Sequence, residues 1–418
     1  MPPFHTQTNH SYLSVRKNSF FLDWQTQPSA FKSYPHFYPR YKISDYEELK
    51  NLNLVGAITY SKEYPTGKHL LRSVPSAGAL YPFEVYIQIR GIKGLISGIY
   101  HYEPRLATLV LLHELNKDGI EYYFPNQHKQ KGLTFLISSI YFRSSWKYRN
   151  RSIRYIFLDS GHQLGAIQAY LELQERTSQI DFYFDKLALN DAFGFRNDEM
   201  FTASIGSTTP TDQEVSKLAQ NLSYVAGSDY LESNSFIEEA YAQSAAFNDE
   251  TITSMEFFKD IDREVLKDAI IKRRSIRAFR MQSISKEEFE FIMDGLVAFA
   301  NTHRIDLFYT IHRVEGIEQG LYQNGELIAD GDFSQKSRYL ALEQNLGGQS
   351  AFTLYFTSNE IDKYQKVNIL SGFIAHIIYL RATIKDIGCS GIGAYYDEET
   401  QAFLKTSNNI LYLLAVGR

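Results

Sequence analysis

The chain repeats itself at a spacing that dictates how it can fold. Gly94-Leu95-Ile96-Ser97-Gly98-Ile99-Tyr100 is answered 222 residues later by Gly316-Ile317-Glu318-Gln319-Gly320-Leu321-Tyr322. Each copy follows a short β-rich run, 85–89 in one case and 307–311 in the other. Leu158-Asp159-Ser160-Gly161-His162 opens one apolar-periodic segment, and Ile369-Leu370-Ser371-Gly372-Phe373 opens a second one 211 residues on. Residues 201–206 match 412–417 at the same offset of 211. Solenoid units are far shorter, so a period near two hundred residues means duplicated domains. A chain of 418 residues also exceeds what one hydrophobic core normally fills.

Each copy mixes short strands with long helices, which predicts an α+β fold: a mainly antiparallel sheet flanked by helices, present twice. We expect an N-terminal arm at 1–44, a first domain at 45–210, a connector at 211–259 and a second domain at 260–418. The connector is poor in apolar residues until Phe257 and Phe258, and 214–224 reads as a helix within it. The second domain should begin with a helix over 263–272. A capped helix follows, because Ser285-Lys286-Glu287-Glu288 has capping-box spacing ahead of Phe289, Ile292 and Leu296. Phe373, Ile377, Leu380 and Ile384 make one apolar face further on, with Gly388 as its stop.

A net charge of -5 gives no basic face for a nucleic acid. Cys389 is the one cysteine, so an intramolecular disulfide is excluded and a reducing compartment fits. The start has no secretory pattern, and the apolar run near 133–142 is too short to span a bilayer. We therefore expect a cytoplasmic protein without a membrane partner. The 30 tyrosines and 29 phenylalanines are enough to line an aromatic ligand site as well as a core.

Three motifs carry chemistry. In the first copy, Pro75-Ser76-Ala77-Gly78-Ala79-Leu80-Tyr81-Pro82 brackets a small-residue turn with two prolines. Such a turn can offer N–H groups to the edge of a planar heterocycle, or it can simply lead into the next strand. In the second copy, Arg273-Arg274-Ser275-Ile276-Arg277 gathers three guanidinium groups and a hydroxyl, the inventory for a phosphate dianion. It could equally be a solvated helix end. Gly388-Cys389-Ser390-Gly391-Ile392-Gly393-Ala394-Tyr395 reads as a glycine-rich loop that could admit a ring edge, or as a turn, and Gly417-Arg418 adds one more guanidinium. Each copy lacks what the other has, which suggests a single site assembled from both domains. No histidine spacing suits a metal; His162 and His376 read as structural, and His101 between two tyrosines as a residue of the substrate face.

On these strings the chain resembles the tandem nitroreductase-fold flavoproteins, and among them the SagB/ThcOx type of dehydrogenase, which includes azoline oxidases. The resemblance spans roughly 45–210 and 260–418. It implies FMN as cofactor, with Arg273, Arg274, Ser275, Arg277, Gly391, Gly393 and Arg418 contributed by the second domain. Pro75, Ser76, Ala77 and Gly78 would come from the first. Gln344 and Gln349 occupy a stretch that can touch the flavin edge. Trp146-Lys147-Tyr148-Arg149 resembles the Lys-Tyr dyad of the azoline dehydrogenases. Lys147 and Tyr148 would then assist proton abstraction while a hydride goes to flavin N5, with Arg149 and Arg151 crowding the lysine. Lys363-Tyr364 is a second such pair, without the arginine-rich run, and reads as coincidence.

The resemblance implies a heterocyclic or amino-acid-derived substrate, small or peptide-borne, with other biosynthetic enzymes as partners and a homodimer compatible with the sequence. An N-terminal peptide-recognition domain, found in some relatives, has no counterpart in the chain. Two other functions fit the same fold: an NAD(P)H-dependent reductase of nitro or quinone compounds, and a binding scaffold that has lost its chemistry.

Overall fold

The computed structural model describes residues 3–17, 21–64, 67–253 and 256–418. They form two compact units: Asp23–Lys267, and Asp268–Arg418 together with the described residues before Asp23. Each is built on an antiparallel sheet with helices against it, the expected α+β class.

In the first unit the sheet runs in the order Arg40–Lys42, Thr108–Glu114, Gly98–Glu103, Phe83–Arg90, His128–Ile140, Glu199–Glu214, Gln179–Asp181, Ile252–Thr253. In the second the order is Glu326–Asp330, Gly320–Gln323, Asp306–Ile311, Phe352–Ser358, Asn409–Gly417, Gly388–Ile392. The repeat read from the sequence appears as identical strand register. Ile87 pairs with Tyr100 and Ile89 with Gly98; Tyr309 pairs with Tyr322 and Ile311 with Gly320. Gly206 stands opposite Gln179 and Gly417 opposite Gly388. Gly94 and Gly316 both turn at positive φ, 79° and 75°, a backbone state for which glycine has no steric cost.

One long helix is central to each unit. In Ser152–Leu173 every residue except Glu172 is buried, and in Tyr364–Ile384 every residue up to Ala382 is. The latter is long and apolar enough to cross a bilayer (mean hydropathy 1.5), although 89% of that stretch is buried inside the protein. It is a longer apolar segment than the run near 133–142. The Ser285 side chain accepts the Glu288 N–H while the Glu288 side chain accepts the Ser285 N–H, closing the expected capping box at the start of Lys286–Met293. Arg263–Lys272 is helical as expected.

Several local expectations change. Residues 214–224 are not a helix: Glu214 ends a strand, and the Val215 and Ser216 N–H groups donate to the Gln127 and Lys117 carbonyls. These long-range backbone bonds outcompete local helix propensity; the helix after that strand is Ser235–Ala245, capped by Asn234. Asp159-Ser160-Gly161-His162 lies inside its helix, which already begins at Ser152. Gly388 opens a strand, and the helix before it ends at Ile384, with Asp386 supplying the left-handed residue at φ 53°.

Aromatic residues fill much of the first core. Tyr86, Phe193, Phe195 and Phe201 pack at ring distances of 4.8–5.8 Å. A polar network threads them: Lys32 Nζ donates to Glu199 Oε2 at 2.6 Å, and Tyr86 and Ser138 donate to the other oxygen at 2.8 and 2.6 Å. Buried charges survive only when paired and hydrogen-bonded in this way. His101 belongs to the same interior. It is fully buried, with Nε2 2.9 Å from Glu84 Oε2, so it does not line a substrate face.

Candidate active site

The Pro75–Pro82 turn is held in a conformation it would not choose. Gly78, Ala79 and Tyr81 all have positive φ, at 64°, 54° and 46°. For the two non-glycine residues this costs energy that surrounding contacts must offset. The contacts are specific. The Ser76 hydroxyl donates to Asp159 Oδ2 at 2.6 Å and accepts the Tyr81 N–H at 2.9 Å. The Ala77 N–H donates to the same Asp159 carboxylate at 3.2 Å. At the far end, Tyr81 OH accepts the Arg72 N–H at 3.0 Å, and the Tyr81 carbonyl accepts from Arg143 at 2.9 Å. Arg143 is itself fixed by Glu84 at 2.7 Å. Arg143, with help from His101 and Arg72, holds the Glu84 carboxyl well below the usual range despite its burial.

Asp159 is the opposite case. Burial pushes its carboxyl up to about 7, and the Ser76 and Ala77 hydrogen bonds offset only part of that. It sits in the middle of an apolar helix, and its one evident task is to hold the turn.

The turn faces the lysine–tyrosine pair. A methyl group added at Gly78 would stand 2.6 Å from Tyr148 Oη and 3.3 Å from Lys147 Nζ. The structure thus brings Gly78, Lys147 and Tyr148 together within the first unit. Lys147 and Tyr148 end the Tyr141–Tyr148 helix, which stops because Arg149 takes a positive φ of 50°. Both side chains are half-buried. Tyr148 packs edge-on against Tyr155 at 4.7 Å. The Lys147 ammonium lies 5.1 Å from the Trp24 ring centre and 5.3 Å from that of Tyr148. Arg149 turns toward Glu232, 3.9 Å away, and the Arg151 Nε donates to Tyr155 at 3.3 Å. The rings of Trp24 and Tyr148 thus stand around the Lys147 ammonium.

The second unit gathers its own set around Tyr379, which the sequence did not single out. Tyr379 OH lies 3.0 Å from Ser275 Oγ and accepts the Gly391 N–H at 2.7 Å. The Arg273 guanidinium lies 5.4 Å from the same ring, within cation–π range. Ser275 bridges to Cys389, whose carbonyl accepts the Ile276 N–H at 3.0 Å. Arg273 is buried, Arg274 is half-buried and donates to the Ile271 carbonyl at 2.9 Å, and Arg277 is exposed.

The remaining candidates are dispersed in role. Gly391 belongs to the Gly388–Ile392 strand, so the first five residues of the expected glycine-rich loop are sheet, and Gly393, Ala394 and Tyr395 follow it. The space for a side chain at Gly391 is filled by the Tyr412 hydroxyl, a packing reason for glycine. Arg418 is held by both oxygens of Glu288, at 3.0 and 2.6 Å. Gln344 and Gln349 flank and end the short Asn345–Gln349 helix, both half-buried. In the Lys363-Tyr364 pair, the tyrosine is buried against Phe4 and its OH lies 2.8 Å from His5 Nδ1, a structural contact.

Asp159 and Trp24 were each within reach of sequence reasoning: a carboxylate inside an apolar helix, and one of two tryptophans in the chain. Tyr379 was not, because it lies among apolar residues with nothing to distinguish it.

Residues 270–418 match the Nitroreductase family. Over 185 residues the chain is 25% identical to Putative nitroreductase MJ1384 of Methanocaldococcus jannaschii, covering 38% of this chain and 93% of that protein. Over 107 residues it is 32% identical to the Trifolitoxin-processing protein TfxB of Rhizobium leguminosarum bv. trifolii, covering 24% of this chain and 29% of that one. The crystal structure of a putative nitroreductase from Anabaena variabilis superimposes with a TM-score of 0.81 at 22% identity, over 99% of this chain and 98% of that one. The 270–418 segment is thus a domain of the Nitroreductase family, and the chain as a whole has the nitroreductase fold.

Proposed function

We propose that this nitroreductase-family oxidoreductase is an FMN-dependent dehydrogenase or oxidase of the SagB/ThcOx type, acting on a heterocycle or another amino-acid-derived substrate in an azoline-to-azole oxidation. The observation that carries the reading is the meeting of the Gly78 turn with Lys147 and Tyr148. The likeness of a quarter of the chain to a toxin-processing protein supports a peptide-derived substrate.

The residues present fit FMN. Arg273, Arg274, Ser275 and Arg277 have the donor chemistry for its phosphate, and Gly78 would lie at its ring system. Pro75, Ser76 and Ala77 would share that contact, with Gln344, Gln349, Gly391 and Gly393 as further candidates. Arg418 would have to leave Glu288 to join them. FMN supplies a hydride acceptor at N5.

The chain's own residues do the rest. Oxidising an azoline to an azole removes one proton and one hydride from neighbouring ring carbons, and the vacated electron pair becomes the new double bond. The acidic hydrogen is the one next to the carbonyl, and the Lys147 amine takes it as general base. The Tyr148 hydroxyl, beside the same turn, orients the reacting edge. Asp159 keeps the turn in place through Ser76 and Ala77.

The test is anaerobic reduction of the FMN-loaded chain. Bleaching by a thiazoline or oxazoline peptide, with the matching azole as product, is the expected result. Rapid bleaching by NADPH and none by azolines would instead make the chain a reductase. A purified chain that takes up no FMN would make it a scaffold.

A further inference from the structure

Both tryptophans of the chain, Trp24 and Trp146, stand beside Lys147, and they are treated very differently. Trp146 is buried; its indole N–H donates to Thr26 Oγ1 at 2.9 Å, and its ring meets Trp24 edge-on at 5.6 Å and 70°. Trp24 is 53% exposed. What sets the Trp24 ring apart from other exposed rings of the chain, such as Phe21 and Phe37, is that it lies open beside the candidate base.

Trp24 is also held in place. It begins a one-turn helix, Trp24–Thr26, capped by the Asp23 side chain, which accepts the Gln25 N–H at 2.9 Å. The Thr26 hydroxyl donates to the Asp23 carbonyl at 2.8 Å. Tyr230, from the segment between the repeats, donates its hydroxyl to the Thr26 carbonyl and packs edge-on against Phe142 at 5.0 Å. These contacts fix the backbone that carries Trp24, while Trp146 and the Lys147 ammonium, 5.1 Å from the ring centre, flank the indole itself.

We propose that Trp24 is the substrate platform: a planar, neutral five-membered heterocycle stacks on its open indole within reach of the Lys147 amine. This inference rests on the heterocycle-oxidising reading given above and adds the residue that selects for planar rings. Stacking is the interaction an indole offers without a charge or a hydrogen bond, and it favours flat rings over extended aliphatic chains.

The experiment uses the FMN-loaded full chain with 2-phenylthiazoline-4-carboxamide as probe, its binding read by quenching of tryptophan fluorescence and by equilibrium dialysis. Wild-type protein should bind the probe. Trp24→Ala should weaken binding about three- to tenfold, whereas Trp24→Phe, which keeps a ring, should stay close to wild type; both should melt as wild type does. Unchanged affinity in Trp24→Ala, equal loss in Trp24→Phe, or no binding by wild type would each overturn the platform. The two readings fail separately. A probe that binds through Trp24 but is never oxidised counts against the dehydrogenase and leaves the platform standing. A probe oxidised normally, with unchanged affinity in Trp24→Ala, does the reverse.

Discussion

The Ser76 hydroxyl donates to the Asp159 carboxylate at 2.6 Å, tying a strained turn to the middle of a buried helix. Burial raises Asp159 from an ordinary 3.8 to about 7, against the pull of Ser76 and Ala77. A carboxyl raised on folding binds its proton more tightly in the native state, so its contribution to stability is largest below pH 4. That contribution declines as pH climbs from about 4 to about 7. Each pH unit of difference corresponds to about 1.4 kcal/mol, which sets a ceiling of about 4 kcal/mol. Asp159→Asn removes this titration while keeping an acceptor for the turn. Urea unfolding at pH 4, 6 and 8 should show the variant gaining on wild type as pH rises. Parallel profiles would mean that Asp159 does not titrate in this window.

Gly78 combines a positive φ with a crowded Cβ position. Gly78→Ala should cost about 1–2 kcal/mol from backbone strain, and more if Tyr148 cannot retreat. The contact at 2.6 Å is with the Tyr148 hydroxyl alone; Lys147 Nζ follows at 3.3 Å and the Tyr148 ring carbon Cζ at 3.4 Å. The double variant Gly78→Ala/Tyr148→Phe should therefore recover part of the loss, leaving the strain component. Strict additivity of the two substitutions in denaturant melts would show that the turn and the tyrosine are not coupled.

The repeat was legible because it is written in residues with fixed geometric duties: paired glycines at positive φ, and the strand positions that follow them in matching register. The Ser285 capping box was legible for the same reason, since its partners lie three residues apart. Residues 214–224 were misread because their backbone partners, Lys117, Gln127 and Ala192, are distant in sequence. The candidate site divides similarly. The turn, the dyad and the arginine cluster each form a contiguous string. Tyr379 becomes visible only when a helix, a strand and a loop converge on its hydroxyl.

Arg273 is buried beside Tyr379, whereas Arg277 is exposed four residues on. If both serve a phosphate, Arg277→Ala should weaken FMN binding by about tenfold or more without affecting the melt, as loss of a charge-assisted hydrogen bond implies. Arg273→Ala should lose at least as much affinity and some stability too. Because the Pro75-Ser76-Ala77-Gly78 string and the Arg273-Arg274-Ser275 string each occur once in the chain, the loaded protein should carry one FMN per polypeptide. Two equivalents in a titration, or undiminished affinity in Arg277→Ala, would count against this assignment.

Lys147 and Tyr148 should be separable by their roles. Lys147→Ala removes the amine facing Trp24 and should leave a yellow, flavin-loaded chain. Its azoline oxidation should be slowed by about 10²–10⁴-fold, the usual contribution of a general base. Because the defect is in proton removal, kcat should fall with little change in KM. Tyr148→Phe keeps the ring that packs on Tyr155 and loses only the hydroxyl beside Gly78. It should hold its fold and flavin with a smaller loss of rate. A pH–rate profile discriminates further: the wild-type ascending limb, on which Lys147 loses its proton to become a base, should disappear in Lys147→Ala and persist in Tyr148→Phe. Normal turnover by Lys147→Ala, measured with its flavin in place, would make the lysine a structural neighbour of Trp24, and the base would have to be sought elsewhere around the turn.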